Sequence, residues 1–171
     1  MSAARLWAPW RQAYITQMRK GSSSICLFCA KGRSRSDARN LVVARGRQTF
    51  TMLNLFPYNN GHLLIAPYRH VGALGELTEE EWRDLFRQAE EGIRRLRRAM
   101  KPQGFNLGLN LGRVAGAGFP GHLHLHIVPR WNGDTNFMPT VAQTKVISQS
   151  LQSAYRLLRR GGRSGAPAVR S

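Results

Sequence analysis

Two cysteines and nine acidic residues are all that this chain of 171 residues has of either kind, and both shortages exclude chemistry. Two cysteines cannot staple a disulfide scaffold, and such low usage suits a reducing compartment, so a cytoplasmic protein is expected. No apolar run approaches the ~20 residues of a membrane span, so no membrane partner is expected. Met1 to Lys20 lacks the apolar stretch of a signal peptide, and no internal repeat is present. Seven of the nine acids (Glu76, Glu79, Glu80, Glu81, Asp84, Glu90 and Glu91) share one segment, leaving only Asp37 and Asp134 elsewhere. A chain so poor in carboxylates is badly equipped for a carboxylate-rich metal centre or a Ser-His-Asp triad.

Positive charge is plentiful instead. Lysine and arginine total 26, the formal net charge is +17, and arginine dominates. Arginine matches phosphate geometry, and a field of this sign draws in polyphosphates. Arg94, Arg95, Arg97 and Arg98 fit the C-terminal end of a helix, where cations suit the dipole. The excess leaves accessory nucleic-acid binding open, and a basic nucleic-acid-associated binding protein is the alternative of another class, although no zinc-finger, helix-turn-helix or similar signature is present.

The five histidines carry the strongest signal. Three stand as His122-Leu123-His124-Leu125-His126, followed by Ile127-Val128. Strand side chains alternate, so the three imidazoles are expected on one face, about 6.6 Å apart along the strand, with aliphatics on the other. Three imidazoles in a row are hard to satisfy in a core. They suit proton exchange, nucleophilic attack or metal ligation near neutral pH. An open metal site using two or three of them is one reading. The other is a histidine nucleophile oriented by a backbone carbonyl on its second nitrogen. Just upstream, Gly112 to Gly121 is rich in small residues, which let main-chain N–H groups approach a phosphate.

Pattern places these residues on elements. Gln48–Asn54 alternates like a half-buried strand, Asn59-Asn60-Gly61 signals a turn, and His62–Ala66 returns as its hairpin partner. Thr78 opens a helix, with Glu81 completing a capping box and Leu77 and Trp82 able to staple it. Trp82, Leu85, Phe86, Ala89, Ile93, Leu96 and Met100 follow at helical spacing as a core stripe, and Pro102 ends the run. Phe105–Leu111 and His122–Val128 read as strands. A second amphipathic helix runs from about Lys145 to Arg160, using Ile147, Leu151, Ala154, Tyr155 and Leu158. Lys31–Arg39 reads as a mobile loop and Gly161–Ser171 as a disordered tail. The expected class is α+β: an antiparallel sheet of about five strands, a long central helix and a C-terminal helix. The expected layout is an N-terminal segment over 1–21, the main domain over 22–140, the C-terminal helix over 141–160 and the tail over 161–171.

His122 to Val128 resembles the motif of the histidine-triad (HIT) family of nucleotidyl hydrolases and transferases. The match runs over roughly Leu41 to Pro139 and includes Leu53-Asn54-Leu55-Phe56-Pro57, Asn60 to Pro67 and Pro129 to Pro139. Leu6-Trp7-Ala8-Pro9-Trp10-Arg11 and the Trp131 segment are similar to the bacterial branch that includes diadenosine tetraphosphate phosphorylases. The resemblance implies nucleotide or dinucleoside polyphosphate as substrate, cleaved at the α-phosphate, most readily by phosphorolysis. Other members are nucleoside phosphoramidases or nucleotidyl-ester hydrolases. His124 would be the nucleophile and His126 would assist the leaving group. Asn54, Asn110, the loop residues Gly116, Ala117, Gly118 and Phe119, and His126 would contact the nucleotide, with a divalent metal accompanying it. Well-studied family hydrolases place a Gln in that loop. Val114 to Gly121 offers no polar side chain, so phosphate contacts there fall to the main chain. The resemblance also implies structural zinc on Cys26, Cys29, His70 and His122; buried unliganded thiols are the alternative for the Cys-Leu-Phe-Cys pair. It implies a homodimer, with Trp7, Trp10, Tyr14 and Ile15 as candidate contacts that core packing would explain as well. His62 stays divided between packing and function, and Trp131 between base stacking and the dimer surface.

Overall fold

A computed structural model describes residues 26–134 and 149–160. Two short helices, α1 (Leu27–Arg33) and α2 (Asp37–Asn40), precede strands β1 (Val42–Arg45), β2 (Thr49–Leu53) and β3 (Leu63–Pro67). A 3₁₀ turn (Leu74–Glu76) leads into the long helix α3 (Glu79–Met100), then β4 (Gly104–Leu109), β5 (Leu125–Arg130) and α4 (Leu151–Arg160). The five strands form one antiparallel sheet in the order β1-β2-β3-β5-β4. This is the α+β arrangement that the sequence pattern implies. Among the described residues, no helix is long and apolar enough to cross a membrane.

The sheet separates two apolar clusters. On one face Leu53, Leu63, Ile65, Leu125 and Ile127 pack under α3 and α4 with Leu85, Ala89, Leu96, Ala154 and Leu158. On the other, Val42, Phe50, Met52, Leu64 and Ala66 pack with Phe28 of α1. β2 is therefore buried along its whole length, where a half-buried strand was expected. The helix α1 closes the face that the alternation left open to solvent.

Capping behaves as the sequence implies. The Thr78 hydroxyl accepts from Glu81 N–H at 3.2 Å, and the Glu81 carboxylate accepts from Thr78 N–H at 2.9 Å. The helix closes at Lys101, left-handed at φ 49°, just before Pro102. The buried stripe is Leu85, Ala89, Gly92 and Leu96. Phe86 is not in it: it is 56% exposed and stacks on Trp82. One residue on from Leu85 it lies about 100° around the helix, beyond the sheet-facing stripe. A Cβ on Gly92 would stand 3.2 Å from Leu63 and 3.3 Å from Ile127, so this glycine sets how closely α3 lies on the sheet.

Three expectations need correction. Lys31–Arg39 is not a loose loop: it completes α1 and contains most of α2. Arg45 of β1 holds it, donating to the carbonyls of Gly32 at 2.7 Å and Ser34 at 2.5 Å while pairing with Asp37. The C-terminal helix starts at Leu151, with the Ser150 hydroxyl accepting from Ser153 N–H at 3.2 Å; Ile147 lies outside the described residues. The last strand starts at Leu125 and not at His122. Pro67 ends β3: its carbonyl faces the incoming chain, but its nitrogen has no proton to continue the ladder. Trp7, Trp10, Tyr14, Ile15 and the 161–171 tail lie outside the described residues.

The β1–β2 turn hangs on one buried carboxylate. Asp84 of α3 accepts from Gln48 N–H at 2.8 Å, Thr49 N–H at 2.9 Å and the Thr49 hydroxyl at 2.9 Å. Burial pushes its carboxyl up, but these bonds and the Arg87 guanidinium bring it below the usual range. Asp84→Ala would orphan buried donors and is expected to cost about 2–4 kcal/mol. A urea titration showing under about 1 kcal/mol lost would refute this anchoring role.

Candidate active site and metal group

The histidine cluster forms where β3 stops and β5 begins. Leu123 N–H donates to the carbonyl of Val71 at 2.7 Å, so the chain is fixed before the sheet takes it over. His126 lies opposite Leu64 in the β3–β5 register and shares that residue's face, the Phe28 side. Ring centroids of His124 and His126 are 4.9 Å apart. This is closer than an ideal strand gives, because His124 precedes the regular strand. All three triad residues are buried, at 1%, 7% and 8% exposure in chain order.

Hydrogen bonds assign each tautomer. A carbonyl can only accept, so His122 donates from Nε2 to the Pro67 carbonyl at 3.0 Å. Likewise His124 donates from Nδ1 to the His122 carbonyl at 2.8 Å, which leaves the lone pair on His124 Nε2. His62, fully buried, accepts at Nδ1 from Tyr58 N–H at 3.0 Å. Its proton therefore sits on Nε2, which meets His126 Nδ1 at 3.0 Å. His126 must then carry its own proton on Nε2, an atom buried without a hydrogen-bond partner among the described residues. Two adjacent imidazoles thus present opposite polarity: a lone pair on His124 and an N–H on His126. His62 is packed and also belongs to this network.

Burial keeps these rings neutral. It pushes the His122 imidazole down to about 4, and that of His126 also down to about 4, with His124 adding to the latter. His124 is lowered by burial as well, against the opposing hydrogen bond to the His122 carbonyl.

The second constellation is equally tight. Cys26 Sγ lies 3.3 Å from His122 Nδ1, and Cys29 Sγ lies 3.4 Å from His70 Nδ1. One donor atom from each of these four residues lies within 4.8 Å of all the others. With Nε2 occupied by Pro67, His122 offers a free lone pair at Nδ1 toward the thiols, as a metal-ligating imidazole oriented by a carbonyl does. Two sulfurs and two imidazole nitrogens at this spacing suit a closed tetrahedral site, so the residues form a group able to hold a metal. Among the described residues only His122 of the triad joins such a group. The acids stay away: Asp37 pairs with Arg45, Asp134 with Arg130, and the others lie on α3 or the turn before it.

The remaining predicted residues surround the cluster less directly. Asn54 is half-buried; its Oδ1 accepts from Phe56 N–H at 3.0 Å, and its Nδ2 lies 3.3 Å from His62 Nδ1. Asn110 donates to the carbonyl of Gly116 at 3.5 Å, at the mouth of the glycine-rich loop. In that loop Gly116 has φ 91°, Ala117 is buried, Gly118 is half-buried, and Phe119 meets Phe28 edge-on at 5.7 Å. The Trp131 indole donates to the carbonyl of Met100 at 3.3 Å, which gives it an anchoring contact. Sequence reasoning passed over Tyr58, stacked on His126 at 5.9 Å and 5°, and Phe28, stacked on His124 at 4.7 Å. The Cys-x-x-Cys spacing could have pointed to Phe28, since it fixes that ring between two candidate ligands.

A model of the HIT domain matches residues 35–133. The chain belongs to the HIT family. Within the family, it is 42% identical over 159 residues to an AP-4-A phosphorylase of Mycobacterium tuberculosis, covering 90% of this chain and 82% of that protein. An adenosine 5'-monophosphoramidase of Schizosaccharomyces pombe is 29% identical over 109 residues, covering 63% and 75%. The crystal structure of a Zn-bound histidine triad family protein from Mycobacterium smegmatis superposes with a TM-score of 0.66 at 27% identity, covering 82% and 94%. Membership and these relatives make this HIT protein an enzyme.

Neutral burial fixes a pH dependence. His126 takes a proton near 6.5 when unfolded but only near 4 when folded. Its contribution to stability is therefore complete above pH 6.5 and is lost as pH falls from there toward 4. An NMR titration is expected to find His126 neutral at pH 5.5 with its proton on Nε2. A midpoint at or above 6.5, or the opposite tautomer, would contradict the assignment.

Proposed function

We propose that this enzyme cleaves dinucleoside polyphosphates of the diadenosine tetraphosphate kind at an α-phosphate, through a covalent nucleotidyl-histidine on His124, by phosphorolysis. The observation that carries the reading is the opposed polarity of two buried nitrogens, the lone pair on His124 Nε2 and the N–H on His126 Nε2. The name of the mycobacterial relative supports the substrate class.

In the first step His124 Nε2 attacks the α-phosphorus in line with the bridging oxygen. A phosphorus–nitrogen bond forms, and the electron pair of the breaking phosphorus–oxygen bond leaves on that oxygen. His126 Nε2–H donates a hydrogen bond to the departing oxygen. The Nδ1–H bond to the His122 carbonyl steadies the imidazolium that His124 becomes. Inorganic phosphate then displaces His124, so diadenosine tetraphosphate gives ATP in the first step and ADP in the second. Main-chain groups of Gly116, Ala117, Gly118 and Phe119 would line the phosphates, and Asn54 and Asn110 the nucleotide. A divalent cation would enter with the polyphosphate.

Zinc is the metal that Cys26, Cys29, His70 and His122 suit, in a closed structural role. It would tie the start of α1 to the chain entering β5. A homodimer would pair through β4, the sheet edge that bears the exposed Leu107. Two cysteines with no disulfide between them suit a cytoplasmic setting.

The first test incubates the protein with diadenosine tetraphosphate and magnesium, with and without phosphate. ADP plus ATP that depends on phosphate supports phosphorolysis, whereas AMP plus ATP without it would make the enzyme a hydrolase. His124→Ala is expected to lose turnover at least about 10³-fold while nucleotide binding changes little; full activity would sink the covalent route. Metal analysis after zinc-replete expression should give about one equivalent, and less than about half would reject the closed site.

A further inference from the structure

Phe28 is almost completely buried, at 1% exposure, and lies in α1 between Cys26 and Cys29. Its ring stacks on His124, centroids 4.7 Å apart and planes inclined by 28°. It also meets His122 at 5.1 Å and Phe119 of the glycine-rich loop at 5.7 Å. A core role explains its burial beside Val42, Phe50 and Met52. That role does not account for two imidazoles of the triad lying against one ring.

His124 is held by one hydrogen bond, from Nδ1 to the His122 carbonyl. A single bond fixes one atom of a planar ring and leaves rocking about that bond as the remaining freedom. His126 limits it at 4.9 Å, inclined by 47°, while Phe28 lies nearly face to face against the ring. We infer that Phe28 is a positioning residue for the transfer reaction: its flat face sets the plane of His124 and hence the direction of the Nε2 lone pair. The inference rests on the nucleophilic role given to His124 above. Attack on phosphorus tolerates little angular error, and misplacement of a reacting atom by about 1 Å can cost up to 10²-fold in rate.

Phe28→Leu keeps an apolar side chain at the site and removes the flat face. Three quantities are read on the full chain: zinc content, the single-turnover rate of nucleotidyl-His124 formation with diadenosine tetraphosphate, and ¹³C relaxation of the His124 imidazole. Zinc content and KM are expected to hold while the rate falls on the order of tenfold and the His124 ring gains mobility. Loss of packing alone would lower the melting temperature and leave the rate per folded molecule unchanged. Should Phe28→Leu fail to fold, Phe28→Met keeps more of the volume and carries the same readouts. Unchanged rate and unchanged ring order in a folded variant overturn the inference. If the wild-type protein forms no adduct at all, the proposed chemistry fails instead, and the ring relaxation still decides whether Phe28 positions His124.

Discussion

The hydrogen bond from His124 Nδ1 to the carbonyl of His122 is the contact on which the site depends. It fixes Nε2 as the free nitrogen of His124, and it ties Nδ1 to the main chain of a residue held on two further sides. His122 donates from Nε2 to Pro67 and turns Nδ1 toward Cys26 and Cys29. Pro67 ends β3, so the absence of one backbone N–H both stops the ladder and leaves a carbonyl for His122. Strand termination, the group able to hold a metal and the orientation of the central imidazole therefore meet in a single residue.

Polarity in the cluster is set from its edges inward. Tyr58 N–H fixes His62, His62 fixes His126, and the His122 carbonyl fixes His124. Burial disfavours protonation of His124 and His126, so their tautomers persist near neutral pH. Absence of carboxylates matters here. An acid beside these rings would raise their affinity for protons, and the chain keeps its acids on α3, in the turn before it or in pairs with arginine. Arg69, Arg83, Arg87, Arg94 and Arg95 are all engaged by acids of α3, so part of the large positive charge is spent within the fold.

Much of this was legible in the residues. Alternation around His122-Leu123-His124-Leu125-His126 gave the shared face, the Thr78–Glu81 pair gave the start of α3, and the four residues of the group able to hold a metal came with the family resemblance. The failures have local causes. Phe86 fits a loose helical spacing but lies off the sheet-facing stripe, which periodicity alone does not resolve. Lys31–Arg39 reads as loop because its composition is polar, while the contact that orders it comes from Arg45 on a different element. The start of β5 depends on Pro67, 55 residues before His122 and outside any local window. His62 and Phe28 are single residues whose roles arise only when distant strands and α1 converge.

The central claim is that the His124 Nε2 lone pair does the covalent chemistry. Its most direct test is to quench the protein during turnover of diadenosine tetraphosphate without phosphate and to locate any adduct by intact mass and peptide mapping. A nucleoside monophosphate carried on Nε2 of His124, discharged when phosphate is added, is the predicted result. An adduct on another residue, or product formation with His124 unmodified throughout, would contradict it.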